Sequence, residues 1–128
     1  EDPVQTTLRE IKEETGFDVE IVPTQKPLKV SNLEQIYVPH SIMIEDVVDS
    51  EYGAHQHIDH IYFTRLTSDI SSPTGELSHQ SDKSSSWLWA SSTDLQSEIP
   101  FKTPKGEFRA PPEDVLKLGL AAIQHVNR

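Results

Sequence analysis

The chain of 128 residues has no cysteine, so neither a disulfide framework nor a thiolate zinc site can be built from it. It has no long apolar run and no secretory signal pattern, which makes a cytoplasmic setting the default expectation and gives no reason to expect a membrane partner. Positive charge is scarce. Eleven Lys and Arg stand against 21 Asp and Glu, a formal net charge of −10. A nucleic-acid groove needs a basic stripe, and anionic lipid needs basic clusters, so both partners are disfavoured. Polyanionic substrates stay compatible where metal ions bridge them to the acids. Apolar residues make up 34% of the chain, which is low for a globular protein without reaching the composition of a disordered one. A chain of this length can bury one core, so a single domain over 1–128 is expected.

What is abundant is acid at the start of the chain. Residues 9–17 read Arg9-Glu10-Ile11-Lys12-Glu13-Glu14-Thr15-Gly16-Phe17, and Glu1 lies eight positions before Arg9. The ends of a helix can be argued locally. Asp2 suits an N-cap and Pro3 suits the first helical position. Gly16 suits the left-handed residue that closes a helix, and Phe17 resumes apolar sequence. Between them Val4, Leu8 and Ile11 form an apolar stripe. At about 100° per residue, Glu10, Glu13 and Glu14 fall within one arc of roughly 100°, centred away from that stripe. Like charges one turn apart destabilise a helix by about a few tenths of a kcal/mol, and Arg9, one turn before Glu13, offsets part of this. A solvated acidic face is the plain reading of such an arc. The crowding of the acids and the Gly stop beside them weigh against it, and a divalent ion held by carboxylate oxygens would relieve the repulsion.

These residues resemble the Nudix box, a motif of Gly, five residues, Glu, seven residues, then Arg-Glu-aliphatic-any-Glu-Glu-any-Gly-aliphatic. Glu1 stands at the first Glu, and Arg9, Glu10, Ile11, Glu13, Glu14 and Gly16 follow in register, with Phe17 a mild departure at the last position. The opening Gly would precede Glu1, so the resemblance implies that 1–128 begins within the motif. It also implies that one or more strands precede the box, and that this stretch alone hydrolyses slowly or not at all.

The implied fold is α/β, a Nudix-like α/β/α sandwich with a mixed sheet. The implied reaction is hydrolysis of a diphosphate linkage in a nucleoside diphosphate joined to another moiety, with Mg²⁺, or Mn²⁺, as cofactor. By register, Glu13 and Glu14 carry metal, Glu10 is a further ligand or a base, and Glu1 is an outer contributor. Arg9 orients a glutamate through an ion pair, and Gly16 turns the backbone. The partner is the small-molecule nucleotide derivative, and a homodimer is compatible with the resemblance. The alternative is a catalytically silent relative that binds a nucleotide or a protein.

Farther on, Phe17, Val19 and Ile21 alternate as a strand ending at Pro23, and 23–35 is loop-like. Ile36–Val38 and His40–Glu45 read as extended, and 46–54 as an exposed turn. His57–Leu66 is the strongest strand signal and is expected to be central. Residues 67–86 are a Ser-rich loop or insertion, Trp87–Trp89 a short strand, Ser92–Leu95 a helical turn, and 100–112 irregular. A last helix follows Pro112, with Val115, Leu116, Gly119, Leu120, Ile123 and Val126 at helical spacing. The Nudix resemblance implies that substrate is chosen by loops outside the box, here 23–56 and 67–86.

His55-x-His57-x-x-His60 resembles a transition-metal cluster. On a strand, however, His55 and His57 share a face and His60 takes the other, so one ion on all three needs a bend before Ile58. A half-buried strand beside a loop explains them as well. His57 or Asp59 could contact substrate. Glu45, Asp46, Glu51, Asp69 and Glu76 are unranked candidates for a general base outside the box.

Overall fold

A computed structural model describes residues 1–67, 87–103 and 106–127. It opens on helix α1 (Pro3–Thr15), bounded as its caps dictate. Asp2 accepts from the Gln5 N–H at 2.8 Å, and the Gln5 side chain accepts the Asp2 N–H at 3.0 Å, which makes a reciprocal capping box. At the other end Gly16 takes φ 79° and donates its N–H to Lys12 O. Val4, Leu8 and Ile11 are half-buried while Glu10, Glu13 and Glu14 are exposed, so the helix packs by its apolar stripe.

The strands are β1 (Val19–Ile21), β2 (Ser41–Asp49), β3 (Gly53–Ile61), β4 (Thr64–Leu66), β5 (Phe101–Lys102) and β6 (Phe108–Arg109). Helix α2 (Ser92–Gln96) lies between β4 and β5, and α3 (Glu113–Val126) follows β6. The chain is thus mixed α and β. Among the described residues the pairings are antiparallel and two-stranded: β1 with β4, β2 with β3, and β5 with β6.

Five expectations change. His57–Leu66 is not one central strand, because the chain switches partner at Tyr62–Phe63. Ile61 O still accepts from His40 N at 2.7 Å, beside β2, whereas Phe63 O already accepts from Val22 N at 2.8 Å, beside β1. Burial of the Phe63 ring (4% exposed), stacked on His40 at 4.3 Å and near His125 at 5.8 Å, fixes the switch. The turn expected over 46–54 shrinks to residues 50–52. Asp49 Oδ1 accepts from the N–H groups of Glu51 and Tyr52, and Gly53 takes φ 67°, the geometry of a three-residue hairpin loop. Ile36–Val38 forms no strand, and Trp87–Trp89 is reduced to a single β-bridge at Leu88, with Trp89 packed on Phe17 at 5.7 Å. Part of the irregular stretch 100–112 pairs as β5 and β6. Of the Ser-rich segment 67–86, only Thr67 lies within the described residues, where its N–H bonds to Asp18 O.

The core is small. Ile21, Phe63 and Leu95 are its buried apolar residues among those described. Helix α1 packs on β1 and α3 on β4, with α2 against α3, where a Cβ placed on Gly119 would come 3.0 Å from Leu95. Strands β2 and β3 pack chiefly on each other. One face of this hairpin carries Ile42, Ile44, Val48 and Ile58, all at least 60% exposed. The other carries Met43, Glu45, Val47, His55, His57 and Asp59.

Candidate functional site

On α1 the charges are arranged around Arg9. Its Nε donates to both Glu1 oxygens, at 3.0 and 2.8 Å, and its Nη1 donates to both Glu13 oxygens, at 3.1 and 3.0 Å. Glu10 is 3.8 Å from Nη2. Glu1 reaches the guanidinium because it stands just outside the N-cap, where the chain is extended and can fold back over the first two turns. Arg9 holds the Glu1 carboxyl below the ordinary glutamate value, and the two carboxylates raise the already high pKa of Arg9 further. Lys12, the other nearby cation, is drawn to the helix end. Its Nζ donates to Gly16 O at 3.0 Å and to Asp18 at 2.9 Å. Among the described residues, Arg9 is thus the cation bonded to this arc, while Lys12 turns away from it.

A polar groove of about 500 Å³ opens beside this helix. Glu1, Thr6, Thr7 and Glu10 form one wall, and Asp59 and His60 of β3 the other. So Glu1 and Glu10 meet the end of β3 there, although Glu10 and Asp59 are nearly 50 residues apart in the chain. Glu13 and Glu14 lie outside the groove lining. A larger cavity, about 590 Å³, lies on another flank of α1 between Val4 and the loop residues 23–27 and 34–38. Its lining takes none of Glu1, Glu10, Glu13 or Glu14, and we give the smaller groove the greater chemical weight for that reason. Nearby, burial and then the Asp2 carboxylate push up the Tyr62 phenol, whose hydroxyl donates to Tyr37 O.

The structure also brings together residues that the sequence pattern leaves apart. Glu45, His57 and Asp59 each offer a donor atom within 4.8 Å of the other two. His55 adds an imidazole: its Nε2 is 3.1 Å from His57 Nε2 and 3.5 Å from Asp49 Oδ2. His60 pairs with Ile42 on the opposite face, so the three histidines do not share an ion. β3 runs in unbroken register, without the bend such an ion would need. Each of these residues stands out in the sequence. What brings them together is the pairing of Glu45 with His57 and of Met43 with Asp59. The signal that could have found this register is Asp49-x-x-x-Gly53, a three-residue loop closed by glycine. Of the remaining base candidates, Asp46 bonds the Gln56 amide on the outer face, and Asp69 and Glu76 lie outside the described residues.

No known family model matches the chain. No curated protein matches it either.

Proposed function

We propose that the chain is a metal-dependent pyrophosphohydrolase of the Nudix type, acting on a nucleoside diphosphate derivative in a cytoplasmic setting. The observation that carries this reading is the register of Glu1, Arg9, Glu10, Glu13, Glu14 and Gly16 on one capped helix whose acidic arc faces away from its packing stripe. The α/β/α sandwich of that family belongs to the same proposal. No helix among the described residues is long and apolar enough to cross a membrane.

The donor set fits a hard divalent cation, since Glu10, Glu13 and Glu14 offer only carboxylate oxygens, all solvent-accessible. Mg²⁺ or Mn²⁺, when bound there, supplies charge neutralisation of the phosphate oxygens. The remaining work is positioning and proton transfer. Arg9 holds Glu13 through two hydrogen bonds and so fixes where its carboxylate stands. Glu10, in the groove wall, accepts the proton of the attacking water. Thr6 and Thr7 spend their hydroxyls on Asp2 O and Pro3 O, which leaves the acids as the reactive groups of that wall. Asp59 and His60 of β3 line the other side of the groove in which the substrate would lie.

The test is a panel of nucleoside diphosphate derivatives with Mg²⁺, assayed for phosphate products. It uses residues 1–128 and an N-terminally extended chain that supplies the residues the motif places before Glu1. Glu13→Gln in the extended chain is expected to lower the rate at least about 100-fold. No metal-dependent release across the panel, or an unchanged rate in Glu13→Gln, overturns the reading.

A further inference from the structure

The donors on the hairpin differ in kind from those on α1. The helix offers carboxylates alone, whereas the inner face of β2 and β3 offers imidazoles beside carboxylates. We propose that Glu45, His57 and Asp59 form a second metal site, for a borderline transition ion of the Zn²⁺ class, with His55 as an additional nitrogen donor.

The geometry supports this in three ways. First, Glu45 comes from β2 and His57 from β3 as directly opposed residues, and Asp59 follows two positions on, so all three project from one face. Their donor atoms already lie within 4.8 Å of one another. Ligands to Zn²⁺ sit about 2.0–2.2 Å from the ion, so donors sharing it stand no more than about 4.4 Å apart. Small rotations of the exposed Glu45 and His57 side chains cover the difference.

Second, the tautomer of His55 is set by its partner. Its Nδ1 lies 3.0 Å from the carbonyl oxygen of Gly53, which can only accept, so Nδ1 carries the proton. An imidazole whose Nδ1–H bonds a backbone carbonyl presents Nε2 for ligation. Third, that Nε2 faces His57 Nε2 at 3.1 Å and the Asp49 carboxylate at 3.5 Å. Two ring nitrogens this close, one of them flanked by a carboxylate, concentrate donor groups beside Glu45, His57 and Asp59, where a bound cation would offset them.

Mixed nitrogen and oxygen donors favour Zn²⁺ or Co²⁺ over Mg²⁺ or Ca²⁺. Such an ion would tie β2 to β3, in a hairpin whose strands pack chiefly on each other. No residue of the box takes part in this site, although Asp59 also lines the groove against α1.

The experiment is a Co²⁺ titration of residues 1–128, followed by visible absorption and calorimetry, then displacement with Zn²⁺. With Mg²⁺ in excess to occupy the acids of α1, one equivalent of Co²⁺ is expected to bind with visible bands and to be displaced by Zn²⁺. His57→Ala, checked for folding by circular dichroism, should weaken binding at least about tenfold, the lower bound set by losing even an outer partner of a metal site. Glu45→Gln is the second variant and should act in the same direction. Glu13→Gln should bind as the parent does. The proposal fails if the folded parent shows no saturable binding, or if both His57→Ala and Glu45→Gln bind Co²⁺ as tightly as the parent. It also fails if Glu13→Gln abolishes binding, because that places the ion on α1.

Discussion

Arg9 and Glu1 are joined across two helical turns, with Nε donating to both carboxylate oxygens at 3.0 and 2.8 Å, while the same guanidinium grips Glu13. One planar cation thus ties the residue before the cap to the acid expected to carry metal. Lysine cannot copy this, since its ammonium is a single point with no fork. Arg9→Lys in the extended chain is expected to lower Mg²⁺-dependent hydrolysis by about 10- to 100-fold, the usual loss when a residue that orients a metal-site acid is removed. The measure is kcat/KM as a function of Mg²⁺ concentration. Parent-like kinetics in Arg9→Lys would remove Arg9 from the site.

The same pair has a signature in pH. Glu1 titrates below the ordinary 4.5 of a glutamate because Arg9 hydrogen-bonds its charged form. A carboxyl depressed in the native state contributes stability that is present above its unfolded value and is lost as pH falls through its folded one. A carboxyl-detected NMR titration of residues 1–128 should place the Glu1 midpoint under 4.5. Arg9→Gln should raise it toward the ordinary value. Glu113, held low by Lys117 at 2.6 Å, is the internal reference and should not move. A Glu1 midpoint unchanged by Arg9→Gln would contradict the pairing.

The parts of the molecule that can be read from sequence are those whose causes are local. Asp2, Pro3 and Gly16 set the limits of α1 within one turn of themselves, and Ser91 with Asp94 does the same for α2. The apolar stripe of α3 is likewise local, apart from Val115, which turns out to be exposed. The break between β3 and β4 is different. Nothing in His57–Leu66 marks it, because it arises where Phe63 enters the core and β1 replaces β2 as the hydrogen-bonding partner. The grouping of Glu45 with His57 and Asp59 is intermediate. Its residues are visible, but only the loop Ser50–Tyr52 sets the register that unites them.

Gly16 is where the backbone geometry demands its residue. At φ 79° its N–H meets Lys12 O and its carbonyl receives the Lys12 ammonium. A side chain in this region costs about 1–2 kcal/mol. Gly16→Ala should lose that much stability in urea denaturation, and Gly16→Asn less, since asparagine tolerates the left-handed region better. Equal stability of Gly16→Ala and the parent would mean that the helix ends some other way.

Phe63 offers the strictest test of how the chain is held. Its ring stacks on His40, lies near His125, and stands with Ile21 and Leu95 as the buried apolar core of the described residues. His125 in turn approaches Pro23 O at 2.9 Å, so the ring sits where α3, the end of β1 and the start of β2 converge. Truncating a buried phenylalanine costs about 3–5 kcal/mol, from lost burial together with the cavity left behind. A core this small has few neighbours able to close that cavity. Phe63→Ala is therefore expected at the upper end of the range, with the denaturation midpoint falling accordingly and the β1–β4 amides losing their protection from hydrogen exchange. The β2–β3 amides should be affected less, because that hairpin packs mainly on itself. Uniform loss of protection in both sheets would show the hairpin to depend on the same core.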